Sequence, residues 1–450
     1  MTPPPGPGAA AESRAPLPLL TLLYAIPFVV AAITQLSDFQ GGPQGDVGLY
    51  LRRASEVTSG LVPYRAFPLE YPPFALVPMV IPFVLWPFGP PSIGVYAWLF
   101  AGQMALLLVA LALVVGRIVR IRASLPADRD DVAGVAPGLG PAVTPDELRA
   151  EQRRVGIRLL ILAAGASLAL TWRFDLFPVL LATVGLWAAL EHRPVVAGAA
   201  IGAGVLAKLF PVVLAPAVAV AWLVSRDWFR LARFAQFAGV VVIGGMLPFV
   251  ALAGFDAFGF VGYQADRGLQ IESVGGGLVL LWGLITGEPV RLFSPFSAWE
   301  VSGDLTNVLL RLTTLALVGG FAALALLGWP RSRAEVVRDG AVSPATIVTL
   351  ATGAILVLVL TSKVFSIQYV VWLVPFAALL PGRKFWLAAA AVALTIPIHP
   401  VLYEALVRQE ALPILVLNLR NALLVALLGW MLWDLARPAG LEPTTFRSAT

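Results

Sequence analysis

Residues 16–36 read PLPLLTLLYAIPFVVAAITQL, an apolar run of the length that crosses the hydrocarbon core of a bilayer. The run is too long for the core of a signal peptide, and no small-x-small cleavage site follows it, so we expect a retained helix. Runs of about 18 apolar residues recur along most of the chain. Because 59% of the 450 residues are hydrophobic and only 13% are charged, the composition indicates a membrane protein.

These runs predict an all-α polytopic membrane protein with about 11–13 transmembrane helices. Beyond the first run, the apolar segments are residues 74–90, 92–116, 157–171, 174–190, 194–207, 209–224, 236–253, 306–328, 344–361, 368–381, 384–398 and 413–434. The first of them contains Pro78, Pro82 and Pro87. We therefore expect that segment to enter the membrane only partway, as irregular backbone does when protein covers it.

The positions of the basic residues predict the orientation of the chain, since cytoplasmic loops carry an excess of arginine and lysine. By this rule the loop 117–156 is cytoplasmic, and the loops 37–73 and 254–305 face outward. The expected organisation is a disordered cytoplasmic leader over residues 1–16, a single transmembrane domain over residues 17–436 and a cytoplasmic tail over residues 437–450.

Composition also excludes several kinds of site. The chain has no cysteine, which excludes disulfides, thiol catalysis and cysteine-ligated metals. Its two histidines, His192 and His399, are too few for a histidine-rich metal site. The formal net charge of +5 is explained by positive-inside loops, so it does not indicate a nucleic-acid partner. We expect neither a required metal nor a cofactor.

A polar insert, GDVGLYLRRASEVTSGLVPYRAFPLEYPP, follows the first apolar run. From Asp46 onward its apolar residues recur at i, i+3 and i+4, which predicts a short amphipathic helix in the outer membrane interface that ends near Gly60. Asp46 is predicted at the N-cap of this helix. Its carboxylate then has two interpretations: it accepts hydrogen bonds from the first backbone amides, or it is a general base where a lipid-linked donor meets a polar acceptor.

Several cationic residues lie at the predicted outer ends of helices. Lys208 and Lys363 are two of only three lysines in the chain, and charges at membrane depth are costly and usually functional. With Arg173 and Arg267 they indicate a site for a phosphate or pyrophosphate group. Two structural alternatives stay open: the lysines extend to the lipid headgroups, and Arg173 pairs with Asp175.

The second polar outer loop contains the segment FVGYQADRGLQIESVGGG. Its residues Asp266, Arg267, Gln270 and Glu272 offer the paired donors and acceptors that sugar hydroxyls require, beside a flexible glycine run. The alternative is a solvated loop. His399 follows the last outward-going helix; a lone histidine is more often structural than substrate-binding, and both roles stay open.

The insert, with an acidic residue just after the first helix, resembles the first outer loop of the C-type glycosyltransferase (GT-C) superfamily. More narrowly, the chain resembles glycosyltransferase family 87, the polyprenol-phosphate-mannose-dependent α-mannosyltransferases of bacterial envelopes. The later segments WRFDLFPVLL, AGAAIGAGVLAKLFPVVLAP, DRGLQIES and SKVFSIQYVVWLVPF are similar to that family in type and order. The resemblance extends over about residues 20–380.

The resemblance implies particular roles. The catalytic aspartate of the family matches Asp46, its YPP signature begins at Tyr71, and its lysine before a proline matches Lys208. The expected donor-phosphate ligands are Lys208, Arg267 and Lys363. The expected substrate-binding residues are Tyr50, Tyr64, Glu70, Tyr71, Arg173, Asp175, Glu272, Gln368, Tyr369 and His399.

The implied activity is transfer of a monosaccharide, with mannose expected, from a polyprenyl-phosphate donor to a glycolipid or polysaccharide acceptor. The reaction would be an inverting displacement with Asp46 as base, on the outer face of a bacterial plasma membrane. Alternatives are a transporter or flippase of lipid-linked saccharide, an arabinofuranosyl or protein glycosyltransferase of the same superfamily, and a noncatalytic scaffold. Transporters often contain internal repeats and midplane charges, whereas the polar residues here gather at one predicted membrane face.

Overall fold

The structure, a computed structural model, describes residues 17–36, 45–124, 144–265, 267–295 and 298–437. The predicted leader, all but the first residue of the predicted tail, and Asp266 lie outside these residues. Within them the chain is predominantly helical, which confirms the predicted fold class at the level of a helical membrane protein.

The helices follow the predicted apolar runs closely. The first half of the chain forms α1 (Leu17–Leu36), α2 (Asp46–Thr58), α3 (Leu76–Val84), α4 (Ile93–Ser124), α5 (Pro145–Gly165), α6 (Ser167–Trp172), α7 (Leu176–Leu190), α8 (Pro194–Ala207) and α9 (Ala215–Val224). The second half forms α10 (Trp228–Ala253), α11 (Gly259–Ala265), α12 (Val274–Thr286), α13 (Thr306–Asp339), α14 (Pro344–Thr361), α15 (Tyr369–Ala378), α16 (Gly382–Ala393), α17 (Tyr403–Val407) and α18 (Ala411–Ala436).

Among the described residues, six helical segments are long and apolar enough to cross a membrane: Ile93–Ala123, Trp228–Tyr263, Thr306–Asp339, Pro344–Thr361, Gly382–Val401 and Ala411–Ala436. Shorter apolar helices pack against them, and the total of about 11–13 crossings stays a prediction. Helix α3 has nine residues and therefore rises only about 14 Å. It is too short to cross a core of about 30 Å, in agreement with the expected partial entry of segment 74–90.

Burial separates a central helix from peripheral ones. In α14, 78% of the most apolar stretch is buried inside the protein, whereas the corresponding value is 6% for both α10 and α13. The exposed surface of these two helices is apolar, as at Ile243 and Val318. Apolar surface of this extent is expected where lipid rather than water contacts a protein.

The described ends of the segment predicted as the cytoplasmic loop 117–156 are helical, over residues 117–124 and 145–156. Helix α4 continues to Ser124, and α5 begins at Pro145. The start of α5 is a capping box: Thr144 Oγ1 accepts from the Glu147 amide at 3.2 Å, and the Glu147 carboxylate accepts from the Thr144 amide at 2.8 Å. The T-x-x-E spacing is a sequence signal for a helix start that the loop prediction overlooked.

The predicted outer loop 254–305 is also structured. It contains α11, α12 and a three-stranded antiparallel sheet with strand order β1-β3-β2, formed by β1 (Leu269–Gln270), β2 (Arg291–Phe293) and β3 (Glu300–Ser302). Val301 lies opposite both Leu269 and Leu292 in this sheet. Together with Ile271 and residues of the C-terminal helices, Val301 and Leu269 form a second, smaller hydrophobic cluster.

The predicted flexibility of the glycine run in this segment is wrong. The run forms the buried first turn of α12. Ser273 is the N-cap, and its hydroxyl accepts from the Gly276 amide at 2.9 Å. A Cβ atom at Gly276 would overlap the backbone carbonyl oxygen of Gln270. Glycine is therefore required here because α12 and the preceding turn approach each other backbone to backbone.

The amphipathic helix of the polar insert is confirmed as α2. It buries Val47, Tyr50 and Ala54, and it ends two residues before Gly60, whose φ of 84° lies in the left-handed region that favours glycine. The predicted N-cap is wrong by one position, since Gly45 holds it and Asp46 is the first helical residue. A carboxylate in the first turn still interacts favourably with the helix dipole.

Candidate active site

The ends of several helices converge around Asp46. Its carboxylate forms an ion pair with the guanidinium of Arg173, which follows α6. The side chains of Asp46 and Arg173 are 32% and 22% exposed, so both remain accessible from outside the protein. An adjacent guanidinium favours the ionised form of a carboxylate, which is the form that accepts a proton.

Arg173 and Asp175 lie in the short break between α6 and α7. Arg173 has an extended backbone, and Asp175 is the N-cap residue of α7 but makes no capping bond with its side chain. The Asp175 carboxylate instead accepts two hydrogen bonds from Lys208 Nζ, at 2.8 and 3.0 Å, and one from Trp372 Nε1 at 2.6 Å. The alternative in which Arg173 and Asp175 simply pair with each other is therefore wrong.

Lys208 lies in an aromatic cage. Its ammonium group is 5.2–5.9 Å from the ring centres of Tyr71, Phe174, Tyr369 and Trp372, within the range of cation–π attraction. Burial lowers the pKa of Lys208, and the carboxylate of Asp175 acts in the opposite direction. Lys208 thus points into the protein and does not extend outward to lipid headgroups, which corrects one of the structural alternatives.

Three of the aromatic residues predicted to bind substrate belong to an aromatic wall of two ring groups, both of which contact the Lys208 ammonium. The rings of Tyr50 and Tyr71 pack against Phe174, at 5.5 and 4.9 Å between centres, and Tyr369 stacks on Trp372 at 4.0 Å. Tyr50 is buried beneath this wall, whereas Tyr71 is half-buried. The structure therefore brings these three predicted residues together around Phe174 and Trp372, neither of which sequence reasoning had selected.

The segment before Tyr71 joins this wall to α10. The hydroxyl of Tyr64 donates to the backbone carbonyl of Tyr71 at 2.7 Å, and its ring packs edge-on against Phe249 at 5.9 Å. Burial raises the pKa of Tyr64, so the phenol stays protonated and keeps this bond. Glu70 is half-buried and acts electrostatically on Tyr71 and Tyr263.

A second polar group lies between β1 and the start of α15, centred on Gln270. The side-chain amide of Gln270 donates to Ser366 Oγ at 2.8 Å and to the Glu272 carboxylate at 3.1 Å, and its oxygen accepts from the Phe365 amide at 2.8 Å. The backbone carbonyl of Lys363 accepts a hydrogen bond from the backbone amide of Gln270 at 2.9 Å. The side chain of Lys363 is half-buried, as is that of Gln368, the N-cap residue of α15.

Glu272 extends this group toward Arg173. Its side chain is only 3% exposed, and burial raises its pKa to about 7, although the charges of Arg420 and Arg173 act in the opposite direction. Arg420 is fully buried, donates to the backbone carbonyl of Glu272 and lies over the ring of Phe365 at 4.0 Å. Sequence reasoning missed Arg420, although an arginine within an apolar helix is itself a recognised signal of function.

His399 and Arg267 lie at the margins of the site. His399 packs edge-on against Tyr403 at 4.7 Å and lies within electrostatic range of Arg173. Arg267 forms an ion pair with Glu300 at 3.1 Å, and Glu300 also accepts from the Gly268 amide at 3.0 Å. Two of the three predicted phosphate ligands, Lys208 and Arg267, therefore already have carboxylate partners.

No cluster of three or more histidine, cysteine, aspartate or glutamate residues that could hold a metal ion occurs in the described part of the chain.

The chain matches no model of a known protein family, and no curated protein matches it. The likeness to glycosyltransferase family 87 thus depends on the motifs themselves and stays a prediction. The site combines the accessible carboxylate of Asp46, the arginine beside it and an aromatic wall around the buried ion pair of Lys208 and Asp175. This arrangement suits proton abstraction next to an anionic leaving group.

Proposed function

We propose that this protein is an integral membrane glycosyltransferase of the GT-C type. It transfers one sugar, with mannose as the first candidate, from a polyprenyl-phosphate donor to a glycolipid or polysaccharide acceptor on the outer face of a bacterial plasma membrane. The observation that supports this most strongly is the ion pair of Asp46 and Arg173, with both side chains partly exposed beside buried polar groups.

In the proposed reaction, Asp46 accepts the proton of an acceptor hydroxyl as the hydroxyl oxygen bonds to the anomeric carbon. The bond between that carbon and the donor phosphate oxygen breaks, and the electron pair leaves with the phosphate. The configuration inverts, and the products are a glycoside, polyprenyl phosphate and a protonated Asp46, which then releases its proton to water.

Arg173 has two consecutive tasks in this proposal. In the resting state it pairs with the Asp46 carboxylate and orients it. Once Asp46 is protonated, the guanidinium loses its anionic partner and can interact with the negative charge on the departing phosphate, for which arginine is well suited. Lys208, which already contacts both oxygens of Asp175, contributes positive potential while holding the wall of the site in place.

The proposal is tested by supplying the purified protein in proteoliposomes with polyprenyl-phosphate mannose and envelope glycolipids. Release of polyprenyl phosphate together with a mannosylated lipid of inverted configuration would support it. Turnover of the arabinose donor alone would keep the reaction class and replace the sugar. Movement of a fluorescent lipid-linked saccharide across the bilayer, without turnover of either donor, would overturn the proposal in favour of transport.

A further inference from the structure

A cavity of about 280 Å³ lies at the end of α7 opposite to Asp175. Since α7 has 15 residues, the two ends of this helix are about 22 Å apart. The cavity is lined by Arg117, Arg120, Ile121, Trp187, Glu191 and Arg193. None of these residues takes part in the reaction proposed above.

The lining carries three arginines and one glutamate, a net charge of +2. Arg193 Nε lies 2.9 Å from the Glu191 carboxylate, which also accepts from Trp187 Nε1 at 3.0 Å. The guanidinium groups of Arg117 and Arg193 lie 5.3 and 5.4 Å from the ring centre of Trp187. Trp187 thus lies beside two guanidinium groups at the cavity wall, where the described lining residues include one carboxylate.

An exposed apolar stripe on α4 leads directly to this cavity. Leu106, Leu113 and Arg120 are spaced by seven residues, which places them on the same side of the helix. The two leucines are 64% and 46% exposed, and Arg117 lies one turn before Arg120. An acyl chain that follows the leucines therefore brings its headgroup to the arginines.

We propose that this cavity binds a phosphate group, carried by the headgroup of an anionic phospholipid. Arginine is the side chain that best matches phosphate, because its planar fork donates two parallel hydrogen bonds. The cavity volume is at the lower end of the range for small-molecule sites, which fits a headgroup. Basic pockets between membrane helices, at the end where positive residues concentrate, are typical headgroup sites, and tryptophan is enriched at this depth.

The test uses the full-length protein, delipidated in detergent, with native mass spectrometry to count retained phosphatidylglycerol and phosphatidylcholine. The variant Arg117→Gln/Arg120→Gln removes two positive charges from the cavity. The matched control, Arg153→Gln/Arg233→Gln, removes two exposed arginines that do not line it. All four positions are exposed, so both variants are expected to fold, which size-exclusion chromatography will check.

We expect the wild type and the control to retain one phosphatidylglycerol, and the cavity variant to bind it about tenfold more weakly or worse. Phosphatidylcholine retention should be the same in all three proteins. A saturable stabilisation by inorganic phosphate that the cavity variant lacks, without a difference in lipid retention, would support the phosphate site with a free anion as its source. Equal phosphatidylglycerol retention in all three proteins, with no effect of phosphate, would overturn the proposal.

Discussion

The buried ion pair between Lys208 and Asp175 makes a quantitative prediction about stability. The two side chains are 12% and 1% exposed, and Asp175 is also bonded to Trp372. Replacing Lys208 with methionine keeps much of its volume but leaves the Asp175 carboxylate buried without its cation. Breaking a buried pair in this way costs about 3–5 kcal/mol, far more than the pair contributes as a unit.

A double-mutant cycle isolates this effect. In Asp175→Asn/Lys208→Met the orphaned charge is gone, and the asparagine oxygen can still accept from Trp372. We therefore expect the double variant to recover at least about 2 kcal/mol of the loss seen in Lys208→Met. The assay is SDS-induced unfolding in mixed micelles, followed by the loss of helical circular dichroism.

The control is Arg230→Met, which removes the partner of Asp227 from a pair whose side chains are 45% and 27% exposed. Exposed pairs contribute little, so this change should cost less than about 1 kcal/mol. The reasoning would be refuted if Lys208→Met cost no more than this control, or if the effects of the Asp175 and Lys208 substitutions were simply additive. Either result would contradict the role of Lys208 as the cation that compensates the buried Asp175 carboxylate.

Two further predictions concern the polar group beside the site. Because burial raises the pKa of Glu272 to about 7, its stabilising contribution is complete below its ordinary value of 4.5 and is lost as the pH rises through 7. The free energy of unfolding of Glu272→Gln, relative to that of the wild type, should therefore rise by about 3 kcal/mol from pH 4.5 to pH 8.5. Unfolding measured at both pH values tests this, and a difference that does not change with pH would contradict it. Gly276→Ala should destabilise the protein by about 1–3 kcal/mol in the same assay because its methyl group meets the Gln270 carbonyl. Gly262→Ala, which meets nothing within 4 Å, should be neutral or stabilising, and equal effects of the two alanines would be inconsistent with that close approach.

The apolar runs predicted the helices well because a helix that packs in a membrane must be apolar over most of its length. Gly60 likewise marked the end of α2, since only local backbone geometry decides where that helix stops. The three-stranded sheet could not be predicted in this way. Its strands have two or three residues each, too few to show an alternating pattern, and β1 pairs with β3, which begins 31 positions later in the chain.

The partners of the site residues were equally hidden from sequence reasoning. The motifs selected Asp46, Lys208 and Arg173, and the structure places these residues close together. That Trp372 binds Asp175, 197 positions away, follows from tertiary packing alone. Motif spacing identified which residues carry charge, but it did not reveal that most of these charges are compensated by carboxylates.

The role of Asp46 is tested most directly by the initial rate at which radiolabelled mannose leaves polyprenyl-phosphate mannose for an envelope glycolipid. We expect Asp46→Asn to lower this rate by at least about 100-fold, the effect of losing a general base, while the variant remains folded. Asp256→Asn, which changes an exposed aspartate after α10, should leave the rate unchanged. A folded Asp46→Asn protein that transfers mannose as fast as the wild type would contradict the assignment of Asp46 as the base.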